Sequence, residues 1–133
     1  CVFSSAELDL LVDVSGVLMS GFEGVGPVRV FDSRAGSRVS SGSVVEVPVA
    51  GVSGVPVDAA AVVLNVTVVE PVAAGFVSVF PCGAAVPATS SVNFGAGETV
   101  ANAVVSQVGS SGSVCVFSSA ELDLLVDVSG VFD

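Results

Sequence analysis

Residues 1–17 read CVFSSAELDLLVDVSGV, and residues 115–131 read the same seventeen letters, so every position from Cys1 to Val17 recurs 114 positions later. The copies part only at the next residue, Leu18 against Phe132. Identity over that length does not arise by chance. It marks tandem duplication with a 114-residue period, and the chain holds one full period plus the tail of a preceding unit. The parent protein is therefore read as an array, and the fold must close within one period while tolerating copies of itself on either side.

One period is the size of a single ordinary domain, and 52% hydrophobic residues are enough to fill its core. Valine dominates those residues, and Gly, Ser, Ala and Thr supply most of the remainder, a usage that favours strands over helices. The apolar runs are broken by Ser, Gly, Asp or Asn every few positions. None approaches the roughly 18 residues needed to span a bilayer as a helix, so no membrane insertion is expected.

Clean two-residue alternation locates the strands. Over 121–129, Leu122, Leu124, Val126 and Val128 share one face while Glu121, Asp123, Asp127 and Ser129 share the other. Over 62–69, Val62, Leu64, Val66 and Val68 face in, and Asn65 and Thr67 face out. Further strands are expected at 28–33, 43–49, 76–81, 90–95, 101–108 and 113–118, bounded by turn residues, with Pro48, Pro56, Pro71, Pro81 and Pro87 at strand ends or in loops. The fold class is thus all-β, with about eight short antiparallel strands in residues 27–133. Residues 18–26, LMSGFEGVG, read as a linker or long hairpin loop, and 1–17 as a closing strand copied from the preceding repeat.

Two architectures fit this pattern. VRVFDS (28–33), VSVFPC (77–82) and VCVFSS (114–119) each begin Val-x-Val-Phe, and each follows a Val-rich strand and a Gly-containing turn. Three similar hairpins per period point to a pseudo-threefold β-trefoil or prism-like barrel; the strand count suits a compact Greek-key sandwich equally well. The closing strand is open too. Either 9–16 pairs with 28–33 and units interlock by strand sharing, or 122–129 closes the domain and the first copy is surplus.

Charge and cysteines place the chain outside the cell. Three Arg, no Lys and no His stand against 13 acidic residues, a net charge of −10 that disfavours nucleic acid and anionic membranes as partners. Each unit carries an even pair, Cys82 and Cys115, expected as a disulfide; Cys1 is the repeat equivalent of Cys115 and is left as a thiol available for an intermolecular bond. The three cations crowd together at Arg29, Arg34 and Arg38, beside Asp32. Internal ion pairs with Asp32, Glu46 or other carboxylates are expected ahead of an anion-binding site.

PVRVFDSR (27–34), AVVLNVTVVEPVAAGFVSVFPCG (61–83) and SVCVFSSAELDLLVDVSGVF (113–132) resemble repeats in large secreted or wall-associated surface proteins of actinobacteria. The resemblance spans nearly the whole period. It implies an extracellular or cell-surface setting and a stalk or surface role, and it carries over no catalytic residues.

Catalysis is not expected. Without His, Lys or Tyr, a Ser or Thr nucleophile has only a carboxylate to activate it, and the acidic residues sit singly or on exposed strand faces with no Trp or Tyr platform for a sugar ring. Glu121, Asp123 and Asp127 share a strand face that could be offered to calcium, but their spacing matches no loop motif, so no metal or cofactor is assigned. The expected function is a structural tandem-repeat module of an extracellular fibre, stalk or surface layer, assembling head to tail with neighbouring identical repeats by strand sharing. The alternative is a carbohydrate-binding or adhesin module, with cell-wall or host glycans as partners.

Overall fold

The computed structural model describes residues 21–133. Eight strands occur: β1 (Phe22–Asp32), β2 (Ser43–Pro48), β3 (Ala61–Val69), β4 (Gly75–Pro81), β5 (Val92–Phe94), β6 (Val100–Gln107), β7 (Ser113–Ser118) and β8 (Asp123–Phe132). A single 3₁₀ turn, Ser33–Ala35, follows β1. Every strand expected from alternation is present, within a few residues of its expected bounds except at the start of β1. That strand reaches back to Phe22 and takes in most of the stretch read as a linker at 18–26.

The strands form two four-stranded sheets, ordered β1-β8-β3-β6 and β2-β7-β4-β5. The antiparallel pairs β1·β8, β2·β7, β3·β6 and β4·β5 each join strands equally far from the two ends of the chain. The molecule is in effect one long antiparallel hairpin, with its tip at β4–β5, rolled up so that β3·β8 and β4·β7 also pair. This is the jelly-roll form of the Greek-key sandwich.

The trefoil or prism-like barrel is corrected by this topology. Two of its three expected hairpins are absent, because β3 and β4 lie in opposite sheets, as do β6 and β7. The connections that looked like hairpin turns carry the chain across the sandwich. After β3, Glu70 has a positive φ of 49° and Pro71 ends the donor ladder; before β7, Gly112 sits at φ 84°. The third expected partner, 9–16, lies outside the described residues.

Valine and leucine fill the space between the sheets. In β3 the inward set Val62, Leu64, Val66 and Val68 is fully buried, and Leu124, Val126 and Val128 of β8 lie beside it. Val47, Val77, Val114 and Val116 face them from the second sheet. The register between β3 and β8 shifts where Val63 faces Gly130 and Leu64 faces Val128, leaving Ser129 as a bulge. The shift turns Val131 inward, so the core continues past the point where strict alternation would have exposed it.

The closing strand is the carboxy-terminal copy. β8 sits between β1 and β3, and its end meets the start of β1: Phe22 is the register partner of Phe132, their rings are 5.2 Å apart, and the Asp133 N–H donates to the Gly21 carbonyl at 3.1 Å. Both ends of the domain therefore emerge at one pole.

Removing a buried isobutyl group at the centre of this core leaves a cavity that close-packed neighbours cannot fill. Leu64→Ala is expected to lower unfolding stability by about 2–5 kcal/mol, read as a drop in the urea midpoint. Val105→Ala, on an exposed position of β6, should move it little.

Candidate functional site

The densest polar constellation lies where β8 meets β1 and the segment after it. Arg29 of β1 and Asp127 of β8 are register partners on the outer face of their sheet, and the guanidinium donates to both carboxylate oxygens, at 2.9 and 3.3 Å. Asp32 ends β1 and caps the 3₁₀ turn by accepting from the Arg34 N–H at 2.9 Å. The Arg34 side chain closes a fork on the same carboxylate at 3.0 and 3.0 Å, and Arg29 approaches it to 3.8 Å. Hydrogen bonding from Arg34 holds the Asp32 carboxyl below its ordinary range, while the bond from Arg29 to Asp127 raises the Arg29 guanidinium above its own.

Arg38 bonds acceptors on two other segments of the chain. Its guanidinium donates to Glu121 at 3.2 Å, to Asp123 at 2.9 Å and to the Glu70 carbonyl at 2.7 Å. It thereby ties the β1–β2 connection to the start of β8 and to the corner after β3. Behind it, the buried Ser33 hydroxyl donates to the other Asp123 oxygen at 2.9 Å and accepts from the Leu124 N–H at 2.8 Å. A backbone bridge between Val39 and Leu122 completes the joint.

The sequence therefore named the cations correctly and one of their partners, Asp32. Glu46 was the wrong candidate: it stands in β2 of the other sheet, opposite Cys115. The true partners Glu121, Asp123 and Asp127 were the trio considered for calcium. In the structure Arg38 and Arg29 occupy those carboxylates, and among the described residues no group of three or more His, Cys, Asp or Glu is placed to hold a metal ion. All three guanidinium groups are engaged internally. The signal that could have found the pairs was the matched outer-face phase of Arg29 and Asp127, but it needed the β1·β8 register to be usable.

Cys82 and Cys115 form the expected disulfide, with Cα atoms 5.0 Å apart. Phe80 of β4 faces Cys115 of β7 directly, and Cys82 lies two residues on, so the bond runs diagonally across neighbouring strands. By strand alternation Cys115, Ser78 and Phe80 point to the outer side of this sheet, yet all three are buried. The chain between β4 and β5 shields that side: Ser78 donates to the Thr89 carbonyl, and Ser91 bonds the backbone of Val79 and Val77. The disulfide pins the start of this covering segment. Cys1 lies outside the described residues.

Two substitutions probe these features. Cys82→Ser with Cys115→Ser should cost about 3–4 kcal/mol in denaturant, because the loop the bond closes spans 33 residues. Arg38→Ala should cost about 1 kcal/mol, modest because the guanidinium is partly exposed. The Arg38 loss should shrink in high salt, and Arg38→Lys should recover little of it, since one ammonium cannot reproduce three divergent donors. No membrane-length apolar helix occurs among the described residues. Comparison with protein-family models and with curated proteins returns no match, so function is inferred from this chain's own residues.

Proposed function

We propose that this chain is a non-catalytic structural module, repeated in tandem in an extracellular surface array. The observation that carries the reading is the 114-residue repeat taken together with the closure of the domain by its own β8. The berth between β1 and β3 is filled by residues 123–132 of the same chain, so neighbouring units need no exchanged strand to complete their folds. This replaces head-to-tail strand sharing with simple covalent succession.

The geometry of that succession is tight. Position 132 recurs at position 18 of the period and β1 begins at Phe22, so an array with this 114-residue period would leave about three residues between the last strand of one unit and the first strand of the next. Because both strands end at the same pole, successive sandwiches in such an array would be tethered at that pole, either side by side or pole to pole. Tension applied through those ends also loads the β1·β8 hydrogen bonds one at a time, from Phe22 and Phe132 inward. Such an arrangement suits a packed surface layer better than a stalk under load. The disulfide and the acidic surface fit an oxidising exterior.

The carbohydrate-binding alternative has less support. The chain has no Trp or Tyr, and its half-buried pair Phe76 and Phe117 is inclined at 42° and does not form one flat platform.

Small-angle scattering on a two-unit chain tests the array. One unit has a radius of gyration of about 13 Å, and two side by side should give roughly 17 Å, against roughly 22 Å for an end-to-end pair. The larger value would remove the side-by-side geometry. Reproducible binding on a glycan array would replace the structural reading with the carbohydrate-binding one.

A further inference from the structure

We propose that the free edge of β6 is a self-association surface, and that its partner is β6 of a second copy of this unit, paired antiparallel about a two-fold axis. Each sheet has two edges, and three of the four carry features that discourage pairing. β1 holds Glu23, Pro27, Arg29 and Asp32 and is broken by two register shifts. β2 holds Glu46 and ends in Pro48. β5 is only three residues long. β6 has none of these: it runs for eight residues, VANAVVSQ, with no charge, no proline and an unbroken register against β3.

Its backbone is directed outward in a regular way. The Val108 N–H donates to the Ala60 carbonyl, which sets the phase in which even-numbered residues bond β3. The N–H and C=O groups of Ala101, Ala103, Val105 and Gln107 consequently face away from β3, where β6 has no sheet neighbour among the described residues. Their side chains are exposed as well, Val105 to 64%.

Two features single out a second copy as the occupant. The first is charge. In a chain of net −10, like molecules repel wherever their carboxylates meet, but the outward side chains of β6 and of the adjacent β3 (Ala61, Val63, Asn65, Thr67 and Val69) carry no charge at all. The second is self-complementarity. With Ala103 opposite its own symmetry mate, Val105 lies across from Ala101 and Gln107 from Thr99, so each bulky or polar side chain meets a small or polar one. The two sheets merge into one of eight strands, ordered β1-β8-β3-β6-β6-β3-β8-β1. A two-fold contact of this kind consumes both edges and stops at a dimer. That identical partners are present at high local concentration rests on the array reading above.

Sedimentation equilibrium over a concentration series tests the contact, using the full chain carrying Cys1→Ser so that no intermolecular disulfide contributes. A monomer–dimer equilibrium is expected. Ala103→Pro removes an outward N–H, and Val105→Lys places a charge and a long side chain beside the axis. Each should weaken dimerisation roughly tenfold or more, because every substitution acts twice across the axis. Val44→Lys, at an exposed site on β2, should leave it unchanged. Circular dichroism separates loss of pairing from loss of fold, and Val105→Lys, at a solvent-facing site, decides the matter if Ala103→Pro unfolds. Monomers at every concentration, open-ended aggregates, or a dimer indifferent to Val105→Lys would each overturn the proposal. Scattering from the two-unit chain judges the array separately, so a failed edge contact and a failed array give different results.

Discussion

The last strand of this chain holds the middle of its sheet, and the rest of the sandwich depends on that placement. β8 pairs with β1 on one side and β3 on the other, and its inward leucine and valine side chains form one wall of the core. The polar network is organised around the same strand: Asp127 receives Arg29, Asp123 receives Arg38 and Ser33, and the Leu124 N–H is bonded by Ser33. β1 and β8 pair across nearly the whole length of the described chain. The domain is thus built on contacts distant in sequence, the kind that order late and cost the most loop entropy.

The arginines show how a chain with few cations uses them. None is spent on an isolated surface pair. Arg29 bonds across the β1·β8 ladder, Arg34 secures the turn that ends β1, and Arg38 gathers three segments that meet at one corner. Individually such partly exposed pairs contribute little. Their effect is to set where the chain turns between sheets, a choice that a core of interchangeable valines leaves poorly determined. The disulfide acts in the same way on the other sheet, holding the segment that covers Ser78 and Phe80.

The proposed tandem array would place demands of its own on a β-sandwich. Identical neighbours at high local concentration are the most dangerous partners an exposed strand can have. Glu23, Pro27, Glu46 and Pro48 guard two long edges, and the shortness of β5 guards a third. Repulsion among carboxylates protects much of the remaining surface. β6 stands apart in lacking all of these devices, and for that reason it is the edge at which ordered contact between copies is inferred.

Much of the fold was legible in the residues. Alternation at 62–69 and 121–129 specified strands and their buried faces, because a side chain's face in an extended strand depends only on odd or even position. Cysteine parity specified the disulfide, and the clustering of Arg29, Arg34 and Arg38 about Asp32 specified an internal network. Sheet assignment was not legible. Val-x-Val-Phe recurs in β1, β4 and β7, yet β4 and β7 are neighbours in one sheet while β1 lies in the other, since a pattern of local faces says nothing about which strand lies alongside. The partners Glu121, Asp123 and Asp127 were hidden for the same reason, as was the choice between the two copies of the closing strand, which are identical over 1–17 and 115–131 and so indistinguishable as letters. Sequence by itself determined what each strand buries; only the tertiary structure decided which strands meet, because that choice is made by long-range packing and chain connectivity.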